Sequence, residues 1–541
     1  MVSGFCKPDK AQYLVGEQVR LSIPNGLPAV LTLSKLHQQF VAPVAFESSA
    51  ESFSALVSGL PTGSYGVSFE RSGERYETAF DVVESRSSSI RYGFLTSFSP
   101  GSDNPVPQMA QLHLNAIQFY DWMYRHDNFV ADTEIYKDGL GKETSLASIQ
   151  EKIKSAKDHG MRPFAYGAVY ASSKEGWERH PEWGLYTLDK EPMLFGNWLY
   201  FMNISSLCGW HEHILEEFRK ASLIGFMGIH MDTYGFPKRA WDASGHPLEL
   251  SSLFAPLVNK AAQTLKEIDP ENGVIFNAVN NWPIQGVANT SQDSIYIEVW
   301  PPHESYIDLY HLIREAKLLS GKPVALAAYM EPFKNAKTAQ ELESAEWSYL
   351  LANAAICASG GTQLALGENG CILCDSYYVN HAKLRDSFLP SVQRYADFLV
   401  RYAPLLYDDR GMDTSMTSAG GINEDFIFSS PSASFSANAQ PGAVWAIIRE
   451  SDKRVTIQLI NLTGNSDKWN APKNAPNPVS GIRLQMRLDR KLSGIYAASP
   501  DKDTLSASSL GFTFESTGAG RIYSVLLPSV TVWTSVWIEI D

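Results

Sequence analysis

Between about residue 90 and residue 370 the chain alternates short apolar runs with longer helical stretches, and it does so eight times. The runs are Arg91–Phe98, Asn115–Tyr120, Arg162–Tyr170, Phe226–Asp232, Gly273–Ala278, Ser294–Trp300, Pro323–Met330 and Thr362–Gly367. A short, nearly continuous apolar run closed by turn residues is the pattern of a strand covered on both faces. Leu146–His159, Trp210–Leu223, Leu253–Ile268, Tyr306–Leu319 and Ala339–Ser359 read as helices between them. Eight such alternations predict a (β/α)₈ TIM barrel, whose functional groups gather at the C-terminal ends of the strands.

Two of the eight runs end on an acid among aromatics. The stretch Gly225–Gly235, GFMGIHMDTYG, places His230, Asp232, Thr233 and Tyr234 at the tip of the fourth strand. Ser294–Pro301, SIYIEVWP, places Glu298 and Trp300 at the tip of the sixth. A single acid at a strand end is most often a helix cap or a turn residue. Two of them, each inside an apolar and aromatic run, are costly to bury unless paired or used. Both would open into one mouth, which is the arrangement a two-carboxylate hydrolase needs: one acid ionised to attack, the other protonated to donate.

Other strand ends supply groups suited to hydroxyl recognition, with amides and acids for hydrogen bonds and flat rings for stacking. The second ends on Gln118, Asp121 and Trp122, the third on Tyr170, the fifth on Asn277, the seventh on Tyr329 and the eighth on Glu368 and Asn369. Taken singly, each admits an architectural role; Asn277 could cap a helix, and Glu368 could support a neighbour. His230, two residues before Asp232 on the same strand face, reads either as a ligand of the sugar and carboxylate or as a packed interior side chain.

The flanks are β-rich. Residues 1–88 contain short strands, Gln18–Ile23, Ala29–Leu33, Tyr65–Phe69 and Ala79–Val83, separated by turns such as Pro24-Asn25-Gly26, and predict an immunoglobulin-like β-sandwich. The barrel is expected over 89–404. Residues 405–541 revert to strands, among them Val444–Arg449, Arg454–Asn461, Ser524–Leu527 and Thr531–Ile540, and predict a C-terminal antiparallel β-sandwich.

Composition narrows the partners. The net charge of −14, from 45 Lys and Arg against 59 Asp and Glu, comes with no basic run, which argues against nucleic acid and anionic membrane. No stretch is long and apolar enough to span a membrane. Thirteen Trp and 24 Tyr suit both core filling and sugar stacking. The five cysteines, Cys6, Cys208, Cys357, Cys371 and Cys374, lack the spacing of a zinc site, so Cys371 and Cys374 are expected to be ordinary thiols or one incidental disulfide. The chemistry requires no metal and no cofactor.

The stretches RYGFLTSF, HLNAIQFYDWMYRHD, PFAYGAVYAS, GFMGIHMDTYG, YIEVWPP and LALGENG followed by YYVNH resemble glycoside hydrolase family 66, which contains bacterial endo-dextranases and cycloisomaltooligosaccharide glucanotransferases. The resemblance implies an α-1,6-glucan substrate and a retaining mechanism, with Asp232 as nucleophile and Glu298 as acid/base. Their carboxyls are then expected about 5–5.5 Å apart. The glucanotransferase members carry a module inserted in the catalytic region, and no stretch here is long enough to hold one. That favours a plain dextranase releasing isomaltooligosaccharides, with cyclising transglycosylation as the alternative; a non-catalytic glucan-binding protein is the reading from another class. A monomer is expected. The first residues lack a signal-type apolar run, so the extracellular compartment is expected from the high-mass substrate, with cytoplasm and periplasm as alternatives.

Overall fold

The computed structural model describes residues 7–23, 30–48, 53–71, 74–408, 411–421, 424–518 and 520–541. Its centre is one parallel sheet of eight strands: β1 (Tyr92–Leu95), β2 (Ala116–Phe119), β3 (Arg162–Ala168), β4 (Gly228–Asp232), β5 (Gly273–Asn277), β6 (Ser294–Glu298), β7 (Val324–Ala327) and β8 (Thr362–Gln363). Neighbours in sequence are neighbours in the sheet. A parallel bridge between Phe94 and Gly367, four residues past β8, closes the ring. That junction needs a glycine, because a Cβ on residue 367 would stand 2.4 Å from the Phe94 ring. The expected TIM barrel is therefore the fold.

Every residue of β1 to β5, β7 and β8 is buried, as strands covered on both faces must be. Eight helices follow the strands in order: α1 (Val106–Gln111), α2 (Leu146–Asp158), α3 (Gly209–Leu223), α4 (Phe254–Lys266), α5 (Ile284–Val287), α6 (Tyr306–Ser320), α7 (Ala339–Ala358) and α8 (Leu389–Arg401). Local chemistry sets their ends. Ser305 and Asp308 form a reciprocal capping box at the start of α6, Thr338 and Glu341 form another at the start of α7, and Gly321 in a left-handed conformation ends α6. Among the described residues no helix is long and apolar enough to cross a membrane.

The paired segments are shorter than the apolar runs. Ser294–Trp300, for example, pairs only as far as Glu298, because the remaining residues leave the ladder to form the rim of the barrel. Several pieces are absent from the expected elements, among them the short α1 and α5, the amphipathic α8, and a small antiparallel sheet (Ala171–Ser172, Leu199–Phe201, Leu194–Phe195) built into the loop after β3.

The N-terminal residues form a two-sheet sandwich. One sheet runs Lys7–Pro8, Val19–Ile23, Phe53–Val57, Val44–Ser48; the other runs Tyr13–Leu14, Glu74–Val83, Gly63–Arg71, Val30–Lys35, Gln38–Phe40. Ala29 and the Pro24-Asn25-Gly26 turn lie outside the described residues. The C-terminal strands form a second sandwich, antiparallel except where Phe435–Ser436 pairs with Val444–Glu450. Both sandwiches grip α8. Thr78 donates to Asp397 at 2.7 Å, Arg401 donates to Ser34 and Ser506, and Glu77 accepts from Ser506 Oγ and Leu505 N at 2.6 Å. His37 of the first sandwich stacks on Tyr496 of the second at 3.7 Å.

Candidate active site

Strand register decides which side chains meet inside the barrel. Tyr166 lies opposite His230, and Asn277 lies opposite Tyr296. Because side chains alternate along a strand, His230 and Asp232 share one face of β4, and Tyr296 and Glu298 share one face of β6. The result is a cavity of about 500 Å³ at the C-terminal mouth, with Tyr166, His230, Asp232, Asn277, Tyr296 and Glu298 in its wall.

A single amide ties the two acids together. Asn277 Nδ2 donates to Asp232 Oδ1 at 2.7 Å and to Glu298 Oε2 at 3.0 Å, so those oxygens lie no more than 5.7 Å apart (2.7 plus 3.0 Å). Asn277 Oδ1 also accepts the Glu298 backbone N–H at 3.3 Å. Each acid keeps one further donor of its own: Tyr166 OH gives to Asp232 Oδ2 at 2.7 Å, and Tyr329 OH gives to Glu298 Oε1 at 2.5 Å. Burial, then the neighbouring Glu298 carboxylate, pushes Asp232 up to about 7, against the pull of its hydrogen bonds to Asn277 and Tyr166. Burial also raises Glu298, opposed by Tyr329, Asn277 and Trp300. Two carboxyls raised by burial and tied to one amide titrate as a pair, which favours one ionised and one protonated member.

The floor is neutral and aromatic. Burial lowers His230 to about 3, and its Nδ1 meets Tyr92 OH at 3.1 Å. Tyr296 and Tyr378 share a hydroxyl contact of 2.7 Å, and Tyr378 stacks on Tyr120 at 4.3 Å. On the β2 side, Gln118 presents a buried Oε1 with no partner among the described residues, and burial raises Asp121 to about 7. The rim carries aromatics with open faces, namely Trp198, Phe236, Trp300 and Tyr377, each 36–44 % exposed.

Of the residues singled out in the sequence, Gln118, Asp121, His230, Asp232, Tyr234, Asn277, Glu298, Trp300 and Tyr329 line this cavity. Four others do not. Asp121 has a positive φ of 46°, which turns the chain so that Trp122 enters the layer outside the strands, donates to the Tyr166 carbonyl and packs on Phe226. The Tyr170 hydroxyl is consumed in holding the loop after β4, accepting from Tyr234 N and donating to Phe236 O. Glu368 is buried and accepts four hydrogen bonds from Thr96 and Ser97. Asn369 sits in a left-handed turn and is exposed. The sequence reading missed Tyr166, Tyr296 and Tyr378. The first two lie inside apolar runs, and only their parity with His230 and Glu298 marks them as inward-facing.

Cys208, Cys357, Cys371 and Cys374 are free, and burial pushes the last two thiols up to about 11; Cys6 lies outside the described residues. No group of three His, Cys, Asp or Glu side chains that could hold a metal ion occurs among the described residues.

A closed (β/α)₈ barrel with a carboxylate pair in an aromatic mouth is the frame of a barrel glycosidase. Glycosyl hydrolase family 66 matches residues 8–537, and the chain belongs to that family. Two cycloisomaltooligosaccharide glucanotransferases of Niallia circulans are 24% and 23% identical over 85% of this chain. The chain spans 62% and 63% of the length of those curated relatives. The crystal structure of a Paenibacillus sp. cycloisomaltooligosaccharide glucanotransferase complexed with cycloisomaltoheptaose superposes with a TM-score of 0.87 at 22% identity, covering 99% of this chain and 100% of that one. At that identity the likeness is one of fold.

Proposed function

We propose that this chain cleaves α-1,6-linked glucan by double displacement, with Asp232 as nucleophile and Glu298 as acid/base. The observation that carries the reading is the carboxylate pair tied by one shared amide, with two of its oxygens no more than 5.7 Å apart, which supports a retaining path. In the first step an Asp232 oxygen attacks the anomeric carbon, the glycosidic C–O bond breaks, and Glu298 gives its proton to the departing oxygen. In the second step Glu298 takes a proton from the acceptor hydroxyl, the acceptor oxygen bonds to the anomeric carbon, and Asp232 leaves as a carboxylate. Tyr166 stabilises the charge on Asp232, and Asn277 fixes the spacing of the pair.

The acceptor distinguishes two outcomes. The relatives named for glucan transfer, together with the open aromatic faces around the mouth, support a sugar hydroxyl as acceptor and cyclic or elongated isomaltooligosaccharides as products. Hydrolysis of dextran to linear isomaltooligosaccharides is the second reading, supported by the lack of a stretch long enough for an inserted module. Chromatography of dextran digests separates them. Asp232→Asn and Glu298→Gln should each fold and lose several orders of magnitude in turnover on dextran; near-wild-type activity in either removes that residue from its role. The substrate's size supports an extracellular site of action, and the sheet composition supports a division into units 1–88, 89–404 and 405–541.

A further inference from the structure

We infer that Trp300 is the acceptor platform of this site and sets how the glycosyl unit is partitioned between a sugar and water. The inference rests on the assignment of Glu298 as acid/base. Trp300 stands two residues beyond Glu298, lines the cavity and leaves 40 % of its surface open. An open aromatic ring on a loose rim segment would select nothing, but this one is held on two sides. Asn280, itself in a left-handed conformation with φ 50°, accepts the Trp300 backbone N–H at 2.8 Å and donates to the Pro301 carbonyl at 3.5 Å. Unlike glycine, asparagine adopts that backbone region at some cost, which the clamp on both peptide groups offsets. The indole then meets Tyr329 at 5.8 Å and 61°, and the hydroxyl of the same tyrosine donates to Glu298. One side chain therefore fixes both the acid and the ring.

The geometry assigns a side. Whatever exchanges a proton with Glu298 is the departing or the incoming hydroxyl, so a ring fixed beside Glu298 lies under the sugar that carries it. Asp232 shares Asn277 with Glu298, but its other oxygen is held by Tyr166 on the far side from Tyr329 and Trp300. A glucose unit presents an apolar ring face to an indole and gains from the contact; a water molecule gains nothing. Both acceptors need Glu298 to take their proton, so any disturbance of Glu298 scales both rates and cancels in their ratio. Only loss of the platform changes the ratio.

The test gives wild type, Trp300→Phe, Trp300→Leu and Trp300→Met an α-isomaltosyl fluoride donor and a fixed concentration of isomaltotriose, and reads transfer and hydrolysis products at early conversion. The leucine and methionine variants should lower the transfer-to-hydrolysis ratio about three- to tenfold, the factor an ordinary aromatic contact supplies, while phenylalanine keeps it within about twofold. A ratio unchanged in the leucine or methionine variant, or lowered equally by phenylalanine, overturns the assignment. Failure of the wild type to release fluoride would instead overturn the reading of Asp232 and Glu298.

Discussion

Replacing Tyr166 by phenylalanine removes one hydroxyl and nothing else from the site. That hydroxyl donates to Asp232 Oδ2 at 2.7 Å with both groups buried, so it favours the ionised acid. A hydrogen bond to a charged group contributes about 1.5–3 kcal/mol, which at about 1.4 kcal/mol per unit raises the Asp232 pKa by about one to two units. Since Asp232 already stands at about 7, the acid limb of kcat/KM should move upward by that amount. On the acid side of that limb a shift of one to two units lowers kcat/KM about 10- to 100-fold, with recovery as the pH rises. Initial rates on an activated isomaltosyl donor from pH 4 to 10 measure this. An equal loss at every pH, or a limb that stays in place, would refute the idea that Tyr166 acts through the charge of Asp232.

Asp232→Asn should stabilise the fold above neutrality. The folded-state pKa of about 7 lies above the ordinary 3.8, so the favourable protonated state is fully present below about pH 4 and is lost as pH rises through about 7. Denaturant melts should show a gain of up to about 4 kcal/mol for the variant at pH 8 and none at pH 4; a gain at pH 4 of the same size contradicts this. Glu368→Ala strands the buried donors of Thr96 and should cost about 1–3 kcal/mol in chemical denaturation without changing turnover per folded molecule. Limited proteolysis should cut first near residue 88, where the chain between the first sandwich and the barrel is exposed. The fragments should stay associated under native conditions, because Ser506 hydrogen-bonds both Glu77 and Arg401.

The barrel was legible because its strands are buried on both faces, which writes each as an apolar run, and because helices such as Tyr306–Ser320 carry their own caps. The acids were legible because each interrupts such a run. What the sequence hid follows from geometry beyond the strand ends. A positive φ at Asp121 reverses the facing of Trp122, so a tryptophan beside a site residue ends outside the cavity. Tyr166 and Tyr296 read as core, and their function emerges only from their cross-strand alignment with His230 and Asn277. Glu368 sits one residue past the bridge that closes the barrel, where the donors of Thr96 and Ser97 happen to converge, a contact across 272 positions that no local pattern records.

The most direct test of the double-displacement reading is mass spectrometry of the Glu298→Gln protein incubated with a fluorinated α-glucosyl fluoride, which forms the glycosyl–enzyme and turns it over slowly. A peptide containing Asp232 that carries the mass of the fluorosugar is the predicted result. An adduct on another residue, or none while fluoride is released with inversion at the anomeric carbon, would contradict it.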